Sequence, residues 1–314
     1  MADILDGRKL ADQIKAEVKK EVETLNKIGI DVGLALLLVG ENPASVQYFQ
    51  ATLSACRKTG ITAYEFRLPE TATVNEILNV VNKINIDERI NGLLILMPLP
   101  RHINSRRIIN HIVPEKDIDG LGAISVGRLA ADESTFQLFK KDNRDTDQQS
   151  RFIPSIWSFL PCTPFGVIRL LEHQNVKIKG KHAVIIGKSL AVGKPLSTMF
   201  LAKEATVTVC HKETTDLGSL TRQADILCSA TGRAGLIKGR MVKKGAVVVD
   251  IGINVLRDRT ITGDVDFNSV SKKASLVTPV PGGVGPVTIS MLLENTVRSA
   301  QRNELFKSPL IVMG

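Results

Sequence analysis

The chain has 314 residues, 43% hydrophobic and 4% aromatic, with a formal net charge of +9. That length exceeds one usual core and predicts two globular domains. No apolar run reaches the roughly 18 residues of a membrane span, and dispersed lysines and arginines with so few aromatics argue against a nucleic-acid surface and for a small polyanionic ligand.

Met1-Ala2-Asp3-Ile4-Leu5-Asp6 does not read as a signal peptide, which points to the cytoplasm, with an organellar matrix as the alternative. Cys56, Cys162, Cys210 and Cys228 are scattered without CxxC or Cys/His spacing, so buried reduced thiols are expected, with neither disulfide nor metal.

Arg8 to Lys27 carries Leu10, Ile14, Val18, Val22 and Leu25 at helical spacing, and Leu34 to Val39 is a short apolar run that reads as a buried parallel strand. Asn42 as N-cap with Pro43 in the first turn predicts a helix ending near Gly60. Ile61 to Leu68, a helix over Val74 to Ile84 and the run Gly92 to Met97 continue the alternation, so an open α/β layer with right-handed crossovers is expected. The polar stretch 132–151 reads as a mobile surface loop. Thr163 as N-cap and Pro164 at the first position predict a helix through about His173, read as an inter-domain hinge.

A second α/β unit follows: strand 182–186, a glycine-rich turn from Gly187 to Pro195, helix 191–202, strand 205–210, a helix near 217–223, and strands 225–229 and 246–251. The last helix, Val287 to Arg302, carries Ile289, Leu292, Leu293, Thr296 and Val297 on one face and is expected to pack back on the first unit.

A strand, a glycine turn and a helix start offer backbone N–H groups and a positive helix end to a pyrophosphate. The spacing is GxSxxxG rather than GxGxxG, so by itself this turn fits a ligand-free strand-to-helix connection equally well. Lys212 lies near where NAD enzymes place an acidic residue, and Lys188 sits in the turn; together they favour a 2′-phosphate, hence NADP, while Glu213 pulls toward NAD. Ala230-Thr231-Gly232 and Asp250-Ile251-Gly252-Ile253-Asn254 end strands at the carboxyl edge, where open α/β sheets bind ligands. The segment Thr278 to Thr288 sets three glycines among three prolines, a rigid loop that lets backbone approach a flat ligand. His102, His111 and His173 show no partner in the sequence and read as surface residues; His211 reads as lining the nucleotide edge.

In order along the chain, Val39-Gly40 followed by Pro43-Ala44-Ser45 and Tyr48, Pro98-Leu99-Pro100, Pro114 to Gly120, Gly127-Arg128-Leu129, Pro161 to Pro164, Gly187 to Pro195 and Pro279 to Pro286 make the sequence resemble the bifunctional methylenetetrahydrofolate dehydrogenase/cyclohydrolase (FolD) family over nearly its full length. The resemblance implies a homodimer, a folate-binding catalytic domain over 1–160 completed by the C-terminal helix 287–314, a Rossmann-type NAD(P)-binding domain over 161–286, and a cleft between them. It also implies NADP-dependent oxidation of 5,10-methylenetetrahydrofolate and hydrolysis of the methenyl product, with tetrahydrofolate as substrate and no metal.

By position, Tyr48 would stack on the aminobenzoyl ring, Asp119 would hold the pterin edge, and Pro281, Gly282, Gly283, Val284 and Gly285 would line the junction of folate and nicotinamide. Gly187, Lys188, Ser189, Val192, Lys212, Thr231, Gly232, Ile253 and Thr288 fall on the cofactor side. Without the resemblance, Tyr48 reads as a packing residue and Asp119 as a turn residue.

The family's catalytic lysine, four residues after the tyrosine, is here Thr52, and the glutamine that bonds it is Leu96. Lys188 replaces an arginine, Ser125 stands near an expected asparagine, and Phe165 replaces a lysine. Hydride transfer needs alignment more than a proton shuttle. Hydrolysis needs a titratable group, worth about 10² to 10⁴-fold, so it is the activity expected to be weak or absent. A catalytically silent, ligand-binding homologue is the alternative.

Overall fold

A computed structural model describes residues 1–131, 158–256, 258 and 260–307, so the expected loop at 132–151 lies outside the described residues. Two parallel sheets form the frame. The chain opens with β1 (Asp3–Ile4) and α1 (Gly7–Lys27), then runs β2 (Gly33–Val39), α2 (Pro43–Thr59), β3 (Thr62–Leu68), α3 (Val74–Ile86) and β4 (Gly92–Ile95). The first sheet has the order β3-β2-β4, all parallel. Short helices α4 (Ser105–Ile109) and α5 (Ala123–Ala131) follow.

The second half contains α6 (Cys162–His173), β5 (His182–Ile186), α7 (Gly193–Ala202), β6 (Thr206–Cys210), α8 (Leu217–Thr221), β7 (Ile226–Ser229) and β8 (Val247–Asp250). A hairpin of β9 (Asn254–Val255) and β10 (Ile261–Thr262), then α9 (Phe267–Val270), β11 (Leu276–Val277) and α10 (Val284–Lys307) complete it. The six-stranded order is β1-β11-β8-β7-β5-β6. Its first strand is donated by the extreme N-terminus, Asp3 opposite Leu276, a pairing too short to leave a periodic signal.

Local chemistry sets the boundaries. Asn42 Oδ1 accepts from the amides of Ala44 (3.1 Å) and Ser45 (3.2 Å), and Gly60 closes α2 at φ 81. Thr73 and Glu76 form a reciprocal capping box on α3. At α6 the expected cap is displaced: Pro161 holds the N-cap position without a side-chain bond, and Thr163 lies inside the first turn. Its hydroxyl instead accepts from Thr288 at 3.2 Å, a tertiary contact that local sequence does not report.

Period-two alternation distributes strand side chains between cores. Leu34, Leu36 and Leu38 of β2 enter one cluster with Ile185, Cys228 and Val249 of the second sheet, while Ala35, Leu37 and Val39 enter another, on the opposite face of the first sheet. The shared cluster runs through α1, α6 and α10, so one apolar layer joins the two sheets. Each large aliphatic side chain buried in it contributes about 1.5–3 kcal/mol.

The last helix begins at Val284, three residues before its expected start, and is buried nearly all round rather than on one face. Val287, Met291, Leu292, Leu293 and Val297 are enclosed, and so are Ser290, Asn295, Thr296 and Ser299. It packs against α1 of the first unit, as expected, and likewise against α6 at the start of the second half.

Candidate functional site

The Asp117-Ile118-Asp119-Gly120 turn follows a 3₁₀ turn, Pro114–Lys116. Lys116 is structural: its Nζ donates to the carbonyls of Ile84 (2.7 Å) and Asp87 (2.8 Å), capping the end of α3. Asp117 is buried and accepts from Leu121 N (3.1 Å), Gly122 N (2.9 Å) and Ser125 Oγ (2.6 Å). Ser125 therefore has a defined task, holding the carboxylate that shapes the turn.

Asp119 is half-buried in the same hollow, lined also by Leu93, Ile95, Ile112 and Leu121. Burial, and secondarily the Asp117 charge, push its carboxyl up to about 7, opposed by a hydrogen bond with Cys162. Burial also raises the Tyr48 phenol, with contributions from Asp119 and Cys162. Tyr48, Asp119 and Cys162 therefore share one corner. Sequence reasoning missed the rest of the support: Cys162 Sγ donates to Ile118 O at 3.2 Å, and Asn295 Nδ2 of α10 donates to that carbonyl at 2.8 Å. A lone amide on an otherwise apolar helix face was the available signal.

Thr52 has no exposed surface, and its hydroxyl donates to the Tyr48 carbonyl one turn back, at 2.9 Å. Leu96, just beyond β4, is 1% exposed and belongs to the shared apolar layer. Ser45 Oγ ties α2 to the chain after β4 by donating to Met97 O at 2.9 Å. Phe165 is buried, with the Arg169 guanidinium 5.7 Å from its ring centroid.

At the second sheet, Gly187 takes φ 115, and a Cβ on it would press on the Ala230 backbone, so the glycine turn lies directly against the loop after β7. Ser189 Oγ accepts from Val192 N at 3.1 Å, fixing the turn from within. Lys188 is exposed beside it. Lys212 is also exposed and pairs with Glu213 at 3.4 Å, an ion pair that solvent leaves weak and easily displaced. Thr231 is half-buried, Gly232 and Ile253 are exposed, and all three lie at the carboxyl edge. Thr288 is 7% exposed, its hydroxyl spent on Thr163 and the Val284 carbonyl.

The proline-glycine loop divides its glycines by task. Gly7 N donates to Gly282 O at 3.1 Å, and a Cβ on Gly7 would collide with the Gly283 carbonyl, so the start of α1 seats on the loop. Gly282, Gly283 and Val284 are buried in that contact. Pro281 is exposed and Gly285 half-buried; a side chain on Gly285 would meet nothing within 4 Å.

The expectation of surface histidines holds for His102, His111 and His173. His102 and His111 are exposed but not without partners: His102 Nε2 lies 3.0 Å from Ala72 O and His111 Nε2 2.7 Å from Asn82 Oδ1, pairs that tertiary folding creates. All four cysteines are buried and free. Among the described residues, no cluster of three His, Cys, Asp or Glu side chains could hold a metal, and no helix is long and apolar enough to cross a membrane. A hollow of about 240 Å³ lined by Lys177, Lys181, Asp225, Lys243 and Lys244 opens at the amino ends of β5, β7 and β8, away from the candidate residues.

The catalytic domain of tetrahydrofolate dehydrogenase/cyclohydrolase matches residues 5–119, and the NAD(P)-binding domain of the same family matches 161–304. A bifunctional protein FolD of Moorella thermoacetica is 45% identical over 301 residues, covering 96% of this chain and 99% of that one. The crystal structure of a bifunctional FolD enzyme from Campylobacter jejuni superposes with a TM-score of 0.85 at 44% identity, covering 96% of this chain and all of the other. The Trypanosoma brucei FolD, complexed with NADP cofactor and inhibitor, gives 0.86 at 34% identity over 96% and 98% of the two chains. With these matches spanning both sheets and the corner between them, the chain belongs to the tetrahydrofolate dehydrogenase/cyclohydrolase (FolD) family.

Proposed function

We propose that the protein is an NADP-dependent 5,10-methylenetetrahydrofolate dehydrogenase whose methenyltetrahydrofolate cyclohydrolase activity is weak or absent. The observation carrying this reading is the contrast within one cleft. The Tyr48, Asp119 and Cys162 corner and the glycine turn are built, whereas Thr52 and Leu96 offer nothing that titrates. In this reading a folate lies against Tyr48 and Asp119, and the nucleotide lies along Gly187, Lys188, Ser189 and Val192 toward Thr231, Gly232 and Ile253. Pro281 and Gly285 form the open part of the floor between them.

Hydride departure from the methylene carbon is driven by nitrogen lone pairs and leaves a delocalised cation, so holding two planar groups in register is the main requirement. Asp119, poised near neutrality, can accept from or donate to a pterin-like edge. Water attack on the methenyl cation needs proton management. The Thr52 hydroxyl is already committed to the Tyr48 carbonyl and does not ionise near neutral pH. No observation among the described residues favours the catalytically silent reading.

Lys188 and Lys212 support NADP over NAD, since both are exposed cations, one in the glycine turn and one just after β6, able to meet a 2′-phosphate. We also assign a folate-binding unit up to about residue 160, completed by the last helix, and a nucleotide-binding unit from 161 to 286. A homodimer is part of the proposal, supported by Val255 and Leu256 exposed at the β9–β10 hairpin. Cytoplasmic residence accords with four free thiols.

The test is initial-rate reduction of NADP and of NAD with methylenetetrahydrofolate. Faster turnover per unit concentration with NADP, narrowed in Lys188→Ala, is expected. Reduction of neither nucleotide would sink the assignment.

A further inference from the structure

The geometry points to Asp264 as a positioning residue for the nucleotide: one buried carboxylate locks together the two loops at the carboxyl edge of the six-stranded sheet. The inference rests on the NADP reading and adds a residue to it.

Asp264 has no exposed surface, so it cannot touch a ligand itself. Its Oδ2 accepts from Ser229 Oγ (3.0 Å), Thr231 N (2.7 Å) and Thr231 Oγ1 (2.9 Å), and its Oδ1 from Arg233 N (2.9 Å) and Asn254 Nδ2 (3.1 Å). These donors come from the end of β7 and the loop after it, and from Asn254 at the start of β9, just past the loop after β8. Their chain neighbours include Gly232 and Ile253, both exposed at the candidate nucleotide site.

A second buried carboxylate, Asp250, holds Asp264 in place by accepting its amide at 3.0 Å, along with Gly252 N (3.0 Å) and Val265 N (2.8 Å). The approach is so close that a Cβ on Gly252 would collide with the Asp264 carboxylate, and one on Gly263 with that of Asp250. Glycine at 252 thus makes room for the lock.

Three of the five partners are N–H groups, which can only donate, and they fall on both carboxylate oxygens, so an acceptor is required at each. An asparagine would turn an N–H₂ toward N–H and O–H groups, leaving buried donors unpaired. The loops would then relax independently, and a dinucleotide would have to reorder them on binding.

The experiment compares the parent with Asp264→Asn and Ser229→Ala, the latter removing one of the five bonds. NADP affinity is measured by titration, with kcat and the KM values for nucleotide and folate from steady-state rates. Asp264→Asn is expected to weaken NADP about 10- to 100-fold while the methylenetetrahydrofolate KM stays within about twofold. Ser229→Ala, which keeps the fold if the aspartate variant does not, should weaken NADP about 2- to 10-fold with the same selectivity. NADP affinity within twofold of the parent in folded Asp264→Asn, or in Ser229→Ala where the aspartate variant does not fold, overturns the assignment. So does a folate KM that rises in step with the nucleotide KM, which would mark a global loosening. A parent that binds no nucleotide overturns the functional reading as well, which separates the two failures.

Discussion

Thr52→Lys and Leu96→Gln, made singly and together, probe the pair of positions that the proposed function reads as lacking a titrating group. Leu96 is 1% exposed, so exchanging it for glutamine forfeits about 1.5–3 kcal/mol of apolar burial. A further cost of about 1–3 kcal/mol arises if the amide finds no partner. Thr52 is fully buried, so a lone ammonium there costs several kcal/mol, roughly the 3–5 kcal/mol of an unpaired buried charge, unless it sheds its proton. Each single variant should therefore lose stability without gaining hydrolysis. The pair can satisfy one another, and a coupling of about 0.5–3 kcal/mol is expected in the double variant. Thermal melts give the coupling, and decay of preformed methenyltetrahydrofolate gives the activity, which should rise about 10² to 10⁴-fold over the parent. A folded double variant that still reduces NADP but hydrolyses no faster would refute the idea that this pair is what the second reaction lacks.

Asn295→Ala removes the 2.8 Å bond to the Ile118 carbonyl and should cost about 1–3 kcal/mol in stability. It should raise the folate KM several-fold and leave the NADP KM unchanged; an equal rise in both would contradict a local role. Asp119→Asn tests the perturbed carboxyl. Since its pKa is raised from 3.8 to about 7 in the fold, the native state holds a proton that the unfolded chain releases, and stability falls as pH rises between those values. The variant, fixed in the neutral form, should be more stable than the parent above pH 7 by about 1–3 kcal/mol after allowing for partial exposure. That gap should close as pH drops below 5; a gap constant with pH would show that Asp119 is not the group responsible.

The alternation of strands and helices was legible because each of β2 to β8 carries enough β-branched and aliphatic side chains to declare itself, and because Asn42, Pro43 and Gly60 bracket α2 by local chemistry. Tertiary effects were not legible. β1 is two residues long and exists only through β11; Thr163 spends its hydroxyl on Thr288 rather than on a cap; α10 is buried on nearly every side, polar residues included, because α1 and α6 pack against it. For the site, ordered motifs marked Tyr48, Asp119 and the glycine turns. The residues behind them, Asn295, Asp250 and Asp264, act on partners tens to well over a hundred positions away, and no periodicity announces them.

In the proposed reading the Tyr48–Asp119 corner supports hydride transfer while Thr52 and Leu96 support no hydrolysis, and a single progress curve reads both. With methylenetetrahydrofolate and NADP, formation of NADPH and of the methenyl product are followed together. The two are expected to accumulate in a one-to-one ratio, the methenyl compound disappearing only at the rate set by buffer. NADPH appearing while methenyltetrahydrofolate fails to accumulate would contradict it, since some group in this cleft would then be activating water without the lysine.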